Sequence, residues 1–289
     1  MARKVAESDV TVLIRGESGT GKGVFAQAIH AGSRRDEKPF AVVHCPSLPG
    51  DLIENELFGH AKGAFTGAVS SSAGRVAQCD GGTLFLDEIA ELPMSLQPKL
   101  LRFVQDRQYE RVGDPITRTA DVRILAASNQ DLESAIREGR FRADLFYRLN
   151  VIQIDIPPLR KHPQDILTLA EQFLAFFARK HNRRVLRFTP EACEAIQNHH
   201  WPGNVRELQN AIERAVILSN TDQISPGLFP FYTADPLWKP QPGEKATLAE
   251  IEKTHIHNVL ATTTSLEEAA QVLGIDPSTL WRRRKHYGI

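Results

Sequence analysis

Val10-Thr11-Val12-Leu13-Ile14 is an apolar run that leads through Arg15 into Gly16-Glu17-Ser18-Gly19-Thr20-Gly21-Lys22. The run predicts a buried strand, and the residues after the glycine-rich stretch predict a helix through Ile29. A strand, a glycine-rich loop and a helix in this order form a P-loop, in which glycines let backbone N–H groups converge on phosphate oxygens. The helix N-terminus and the Lys22 ammonium add positive charge for the β- and γ-phosphates. The segment therefore predicts a nucleotide-binding α/β protein.

A second segment, Gly82–Glu88, predicts a strand that is buried on both faces and ends in two carboxylates. Asp87 is placed to hold Mg²⁺ on the phosphates, and Glu88 to polarise the water that attacks the γ-phosphate. P-loops commonly place Ser or Thr after the lysine as a further Mg²⁺ ligand, whereas this chain has Gly23. Metal binding therefore depends more on Asp87 and on water. The alternative, an ordinary acidic strand end, is disfavoured by the nearby P-loop.

Strand-like and helix-like runs alternate through the first half of the chain. The alternation predicts a mostly parallel sheet with helices on both faces. The further strand-like runs are Phe40–Cys45, Val122–Ser128 and Val151–Ile156, and the helical patterns are Leu52–Phe58, Leu96–Val104 and Leu132–Glu138. Ligands of such sheets bind at the carboxyl ends of the strands, which is where Lys22, Asp87, Glu88, Ser128 and Asn129 fall.

After Pro157-Pro158 the pattern changes to helices without strands. Three helical segments, Ile166–Ala178, Pro190–Asn198 and Val205–Leu218, predict a small helical subdomain. The stretch Ser225–Ala246, with five prolines and two glycines, predicts a semi-rigid linker. We expect an α/β ATPase subdomain over residues 1–158, a helical lid over 159–222, a linker over 223–246 and a separate domain over 247–289.

The final segment has the pattern of a helix-turn-helix. An amphipathic helix, Leu248–Leu260, precedes a second helical pattern, a turn at Gly274-Ile275, and Asp276-Pro277 as the start of the last helix. Four of the five basic residues between Thr247 and Ile289 lie on that last helix. A basic helix in this motif suits the major groove of double-stranded DNA. The predicted DNA contacts are Ser278, Thr279, Trp281, Arg282, Arg283 and Lys285.

The hexapeptide Gly63–Ala68, Gly-Ala-Phe-Thr-Gly-Ala, lies between the P-loop and the acidic strand. Two glycines around an aromatic residue are often a turn whose ring packs in the core. Beside a nucleotide site, the same pattern favours an exposed loop that contacts a partner through Phe65 and Thr66.

Composition is that of a soluble protein. Basic and acidic residues balance at 35 each, and no apolar stretch is long enough to span a bilayer. No signal peptide is evident, and Cys45, Cys79 and Cys193 have neither metal-ligand nor disulfide spacing. We expect a cytoplasmic protein that does not bind membranes and whose reduced cysteines are structural.

Taken together, the motifs resemble the AAA+ and Fis-type DNA-binding domains of the NtrC-class bacterial enhancer-binding proteins, which activate sigma-54 RNA polymerase. The resemblance covers essentially the whole chain. It is carried by Gly16–Lys22, Glu-Leu-Phe-Gly-His at Glu56–His60, the Gly63–Ala68 loop, Leu-Phe-Leu-Asp-Glu at Leu84–Glu88, Phe-Arg-Ala-Asp-Leu-Phe-Tyr-Arg-Leu at Phe141–Leu149 and Trp-Pro-Gly-Asn-Val-Arg-Glu-Leu at Trp201–Leu208.

The family resemblance implies ATP and Mg²⁺ as ligands, hydrolysis to ADP and phosphate between subunits, and a hexameric ring with dimer contacts through the C-terminal domain. It also implies sigma-54, RNA polymerase holoenzyme and enhancer DNA as partners. Ser128 and Asn129 match the sensor I position, Arg142 and Arg148 the arginine fingers that act on a neighbouring subunit, and Arg206 sensor II. The nucleotide-binding residues are then Gly16, Glu17, Ser18, Gly19, Thr20, Gly21, Lys22, Gly23, Asn129 and Arg206.

Two residues depart from the family pattern. Gly23 stands where the family commonly has Glu, and His44 where it has the Asn that restrains the catalytic glutamate. We hypothesise that His44 pairs with Glu88 in some nucleotide states; a core histidine beside a strand is the alternative. The chain starts almost at the first strand, so we expect Met1 to begin a truncated form that lacks an upstream receiver or sensing domain.

Three functions remain open on these residues. The first is an ATP-hydrolysing activator that remodels the sigma-54 closed promoter complex through Phe65 and Thr66. The second is a non-catalytic DNA-binding repressor, and the third is another AAA+ DNA motor. Intact Asp87-Glu88 and both predicted fingers argue against the second, and the intact Gly63–Ala68 loop argues against both alternatives.

Overall fold

The computed structural model describes residues 2–47, 50–65, 68–183, 186–232, 247–262 and 265–287. The chain divides into two compact units, Met1–Ser225 and Pro226–Ile289. The strands are β1 (Val12–Arg15), β2 (Phe40–His44), β3 (Thr83–Asp87), β4 (Gln108–Arg111), β5 (Asp114–Thr119), β6 (Arg123–Ser128), β7 (Ile152–Asp155), β8 (Arg187–Phe188) and β9 (Gln223–Ile224).

Helices account for most of the remaining regular structure. They are α1 (Ala2–Ala6), α2 (Lys22–Ala31), α3 (Gly50–Phe58), α4 (Gly74–Gln78), α5 (Gln97–Asp106), α6 (Leu132–Arg137), α7 (Ala143–Leu149), α8 (Pro163–Lys180), α9 (Pro190–Asn198), α10 (Asn204–Leu218), α11 (Leu248–Thr262), α12 (Leu266–Leu273) and α13 (Pro277–Tyr287). None of the described helices is both long and apolar enough to cross a bilayer.

Five strands form one parallel sheet in the order β2-β3-β6-β1-β7. Alternate residues of its strands face two different apolar cores, as the two-residue period of a strand requires. Leu13, Leu84 and Ala126 pack with residues of α3, α5 and α7. Ile14, Phe85 and Leu125 pack with residues of α1 and α2 on the opposite face. The predicted parallel sheet with helices on both faces is confirmed.

The start of strand β6 carries a fully buried arginine. Arg123 donates from its two terminal nitrogens to the carbonyls of Val5 and Ala6, at 2.7 and 2.9 Å. Burial lowers the pKa of this guanidinium, since the charged form loses water. The carbonyls at the end of α1 thereby gain charged donors, which fixes α1 against the sheet.

The predicted helices of the lid are confirmed as α8, α9 and α10. The Thr189 hydroxyl caps α9 by accepting from the Ala192 N–H, and Pro190 occupies the first helical position. The prediction of a region without strands is wrong in one detail, because β8 and β9 pair over two residues each. That pairing joins the chain before α9 to the chain after α10.

An antiparallel hairpin, β4 and β5, follows α5 and has no counterpart in the sequence prediction. Its connection contains Gly113, whose φ of +75° is in the left-handed region.

The C-terminal unit has the predicted helix-turn-helix elements. Ser265 caps α12 by accepting from the Glu268 N–H, and α12 ends at Gly274 in a left-handed conformation. Its apolar core joins all three helices through Ile256, Ala270 and Leu280.

Candidate nucleotide site and output loop

The candidate site lies at the carboxyl edge of the sheet, where β1, β3 and β6 end beside one another. Register pairs Arg15 with Ser128 and His44 with Asp87, so the residues that follow these strands emerge at one edge. The chain leaves β1 through the glycine-rich loop and enters α2 at Lys22. The predicted convergence of polar residues therefore follows from the strand register.

Lys22 is held by the loop and by the acidic strand. The residue is 6% exposed, and its ammonium donates to the carbonyls of Gly16 and Glu17, at 3.0 and 3.3 Å. It also pairs with Glu88 Oε1 at 3.2 Å. A buried ammonium needs such partners, and the loop carbonyls fix its place before any phosphate binds.

Glu88 adopts a strained backbone conformation, with φ of 53° and ψ of 52°. Its second carboxylate oxygen, Oε2, accepts from the Asn129 N–H at 3.0 Å. Left-handed conformations of residues other than glycine cluster at functional sites, where the surrounding contacts must maintain them. The contacts with Lys22 and Asn129 supply that constraint, and they orient the carboxylate towards the P-loop.

His44 contacts Asp87 rather than Glu88 in this structure. Its Nδ1 lies 3.1 Å from Asp87 Oδ2, and the imidazole is half-exposed. The two residues are register neighbours on β2 and β3, which brings their side chains together. The hypothesised pair with Glu88 is therefore not the one formed here.

The two sensor I candidates have different surroundings. Ser128 is buried, and its hydroxyl donates to the Gln130 carbonyl at 2.9 Å and accepts from the Gln130 N–H at 3.1 Å. Asn129 has an exposed side chain next to the backbone N–H that binds Glu88. Ser128 therefore shapes the end of β6, and Asn129 contacts Glu88 through its backbone while its side chain is exposed.

The lid is in direct contact with the tip of the P-loop. The Arg206 guanidinium donates to the Ser18 hydroxyl at 2.9 Å, and the Arg206 N–H donates to the Gly19 carbonyl at 3.3 Å. A Cβ on Gly19 would lie 2.2 Å from the Gly203 carbonyl oxygen, so only glycine allows this approach. The structure thus brings Arg206, the sensor II candidate, to the loop.

Glu17 points towards the lid. Its carboxylate accepts two bonds from Arg160, at 2.6 and 2.8 Å, and one from the Asn204 carboxamide at 3.2 Å. These donors lower the pKa of Glu17 to about 2, and Arg160 has the largest effect. Sequence reasoning places Glu17 among the phosphate-binding residues and does not identify Arg160 or Asn204, because 143 and 187 residues separate them from Glu17.

The two predicted arginine fingers lie at opposite ends of helix α7. Arg142 precedes its first turn and binds Asp144 at 3.0 and 2.7 Å, and Arg148 is exposed in its last turn. Tyr147, 74% exposed, lies beside Arg148. The buried face of α7 holds Leu145 and Phe146 in the core. The helix thus presents both cations and an aromatic ring at the surface of the unit.

The Gly63–Ala68 loop is closed by backbone hydrogen bonds and exposes its aromatic ring. The Gly63 N–H donates to the Ala68 carbonyl at 2.9 Å, and the Ala68 N–H donates to the Phe65 carbonyl at 3.0 Å. Phe65 is 41% exposed, with its ring edge-on to His60 at 5.1 Å. The alternative, in which the ring of Phe65 packs in the core, is therefore wrong. Thr66 lies outside the described residues.

The base of this loop is joined to the β4–β5 hairpin. The Ala61 N–H donates to the Val112 carbonyl, and the Val112 N–H donates to the Gly59 carbonyl, both at 2.9 Å. A Cβ on Gly113 would lie 2.6 Å from the Ala64 Cβ, so the hairpin turn closely contacts the loop. Movement of the loop therefore requires movement of the hairpin or a break in these bonds.

Residues of the last helix face two directions. Arg283 forms an ion pair with Glu252 of α11, and the Tyr287 hydroxyl donates to the same carboxylate at 3.0 Å. Arg283 thus binds within its own unit rather than projecting from α13. Trp281 is 57% exposed, and the Lys285 ammonium lies 5.4 Å from its ring centre. Ser278 and Arg282 are exposed, and Thr279 is half-buried.

A P-loop beside an acidic strand, with a helical lid over the loop, defines an AAA+ nucleotide-binding module. Three family models match the chain: the sigma-54 interaction domain over residues 1–155, the AAA+ ATPase lid domain over 160–242, and the bacterial regulatory protein Fis family over 247–287. The chain belongs to the family of the sigma-54 interaction domain.

Its relatives include bacterial transcriptional regulatory proteins. The chain is 54% identical to the alginate biosynthesis transcriptional regulatory protein AlgB of Pseudomonas aeruginosa, over 289 residues that cover 100% of this chain and 64% of that protein. It is 47% identical to the transcriptional regulatory protein ZraR of Escherichia coli, over 96% of this chain and 63% of that protein. A crystal structure of NtrX from Brucella abortus with ADP superposes with a TM-score of 0.77 at 32% identity, covering 100% of this chain and 67% of that chain.

Proposed function

We propose that this chain hydrolyses ATP and uses the energy to remodel sigma-54 RNA polymerase at promoters, while its C-terminal unit binds double-stranded enhancer DNA. The observation that carries the proposal is the contact of Glu88 with both Lys22 and the Asn129 N–H at the carboxyl edge of the sheet. One carboxylate is thereby oriented beside a phosphate-binding lysine. Membership of the sigma-54 interaction domain family supports the choice of partner.

In this mechanism the loop from Gly16 to Gly23 binds the triphosphate, and Lys22 contacts its β- and γ-phosphates. Glu88 accepts a proton from the attacking water, and Asn129 responds to the presence of the γ-phosphate. Asp87 supplies carboxylate oxygens of the kind that Mg²⁺ binds together with phosphates, and the ion when bound would neutralise charge that develops on them.

Arg148 is exposed in the last turn of α7, and Arg142 is partly exposed just before its first residue, which suits residues that act on a neighbouring subunit's nucleotide. Hydrolysis would then require an oligomer, and a hexameric ring is the assembly that we propose. The Gly63–Ala68 loop contacts sigma-54 through Phe65 and Thr66, and its connection to the hairpin transmits the change that follows phosphate release. The protein acts in the cytoplasm, where promoter DNA is found.

Two variants separate hydrolysis from output. Glu88→Gln retains nucleotide binding and loses turnover, whereas Thr66→Ala retains ATPase activity and loses a complex with sigma-54 formed in ADP–aluminium fluoride. The two assays are steady-state phosphate release and native gel mobility of sigma-54. If both variants lose ATPase activity and sigma-54 binding equally, the assignment of hydrolysis to Glu88 and of sigma-54 binding to the loop is wrong.

A third measurement tests catalysis in trans. The ATPase rate per subunit should rise with protein concentration, because the fingers of one subunit complete the site of another. An equal mixture of Glu88→Gln and Arg148→Ala chains should recover activity that neither chain has alone. A rate per subunit that is constant down to the monomer would contradict a site shared between subunits.

A further inference from the structure

Glu17 belongs to the P-loop, yet its carboxylate is bound by two residues from elsewhere in the same unit. Arg160 lies in the short 3-10 helix Leu159–Lys161, between the sheet and the lid, and Asn204 is the first residue of α10. The two oxygens of Glu17 accept separate bonds from Arg160, and Asn204 adds a third. We call Glu17, Arg160 and Asn204 the loop–lid cluster.

Asn204 joins three segments of the chain through one carboxamide. Its Oδ1 accepts from the Leu159 N–H at 2.9 Å, and its Nδ2 donates to the Ser18 carbonyl at 3.0 Å as well as to Glu17. The residue is fully buried and has φ of +52°. Asparagine is one of the few residues other than glycine that adopt this conformation readily, and its amide supplies both a donor and an acceptor.

The charge of Glu17 has a consequence for any anionic ligand of the loop. The N–H groups of a P-loop attract phosphate oxygens, whereas a carboxylate on the same loop repels them. Glu17 is ionised at neutral pH, and its hydrogen bonds, that from Arg160 above all, lower its pKa to about 2 and so favour the charged form. Arg160 binds both oxygens and supplies the compensating positive charge.

We propose that Arg160 and Asn204 are positioning residues for the nucleotide. Arg160 neutralises the charge of Glu17, and Asn204 fixes the distance between the P-loop and the lid. This role rests on the nucleotide binding proposed above. Movement of the lid would change the position and the net charge of the loop together, and the sensor II candidate Arg206 acts on the same loop from the same helix.

The test is the dissociation constant of a fluorescent, non-hydrolysable ATP analogue for the chain and its Arg160→Gln, Glu17→Gln and double variants. We expect Arg160→Gln to weaken binding about fivefold, corresponding to roughly 1 kcal/mol for an exposed charge pair. The double variant should bind more tightly than Arg160→Gln, since removing the carboxylate removes the repulsion. The loss in Arg160→Gln should shrink between low and high salt, because screening weakens the repulsion. Lys180→Gln is the matched control, as it removes an exposed lid pair with Glu213.

A role in folding alone would give a different result. If Arg160→Gln binds like the Lys180→Gln control, or if the double variant is weaker than either single variant, the positioning role is overturned. Asn204→Gly provides a second test, because glycine keeps the left-handed backbone and removes the carboxamide. It should weaken binding at an unchanged circular dichroism spectrum, and unchanged affinity would contradict the role of Asn204. Failure of the unsubstituted chain to bind the analogue would instead refute the proposed function.

Discussion

The close approach of Gly59 and Gly74 joins the two ends of the segment that carries the Gly63–Ala68 loop. Gly74, at the start of α4, has φ of +78°. A Cβ on this residue would lie 2.3 Å from the Gly59 nitrogen, 2.5 Å from the Phe58 carbonyl carbon and 2.8 Å from the Leu57 carbonyl oxygen. All three atoms belong to the backbone, so no side chain can rotate away. We predict that Gly74→Ala separates the two ends of the segment that carries the loop.

The expected cost has two parts. A left-handed conformation costs alanine about 1–2 kcal/mol, and overpacking against a rigid neighbour adds about 1–3 kcal/mol. Gly139 offers a matched control, because its φ is +70° and a Cβ there meets nothing within 4 Å. Gly139→Ala should therefore lose only the first part. The two variants should differ by about 1–3 kcal/mol in the free energy of unfolding.

Urea denaturation followed by circular dichroism measures this difference from the transition midpoints at a common slope. Binding of sigma-54 in ADP–aluminium fluoride then measures the output, which Gly74→Ala should lose and Gly139→Ala should retain. Equal midpoints for the two variants would refute the argument, since they would mean that the backbone at Gly59 yields without loss of stability. Normal sigma-54 binding by a destabilised Gly74→Ala would refute the link to the loop.

Three further predictions concern the site and the cysteines. Gly23→Ser should reach half-maximal ATPase activity at a lower Mg²⁺ concentration than Gly23→Ala. Both side chains fit, because the nearest atom to a Cβ there is Phe85 Cε1 at 3.8 Å, but only serine adds a metal ligand. Equal Mg²⁺ requirements of the two variants would contradict this. The carboxyl ¹³C chemical shift of Glu17 should stay constant as the pH falls from 8 to 4, because the pKa of Glu17 is lowered to about 2. The pair of Glu17 with Arg160 stabilises the folded state fully above the ordinary pKa of 4.5, and this stabilisation is lost as the pH falls towards 2. Iodoacetamide at pH 8 should modify Cys193 before Cys45 or Cys79, because burial raises the pKa values of Cys45 and Cys79 to about 12. In 8 M urea all three thiols should be modified. Equal labelling of the three cysteines in the native protein, read by mass spectrometry, would contradict this.

The sheet was predictable because its strands are apolar enough to be recognised singly. Val12–Arg15 and Thr83–Asp87 are buried along most of their length, and helices of clear period separate them. The β4–β5 hairpin was not predictable in the same way. Most residues of Asp114–Thr119 are exposed, so the strand has no apolar alternation to reveal it. Gly113 between two segments with β-branched or aromatic residues was the only local signal.

Residue types at the site were predictable, and their partners were not. The position of Lys22 after a glycine-rich loop predicts its chemistry, because the loop is local in sequence. The contact of His44 with Asp87 depends on which strands are neighbours and in which register, and neither is set by local sequence. Arg283 looks like a DNA contact on a basic helix, but its partner Glu252 is fixed by the tertiary packing of the C-terminal unit.

The contacts of Lys22 also link phosphate binding to the state of Glu88. The ammonium now divides its charge between two loop carbonyls and Glu88, at 3.0 to 3.3 Å. A γ-phosphate bound at this loop would compete with Glu88 for that charge, because both are anions. The carboxylate would then keep the Asn129 N–H on Oε2 and lose its cation on Oε1. If Lys22 binds the phosphate and Glu88 acts as the base, as proposed above, the same lysine would also free Oε1 of Glu88. That oxygen would then meet water only when there is a phosphate to attack.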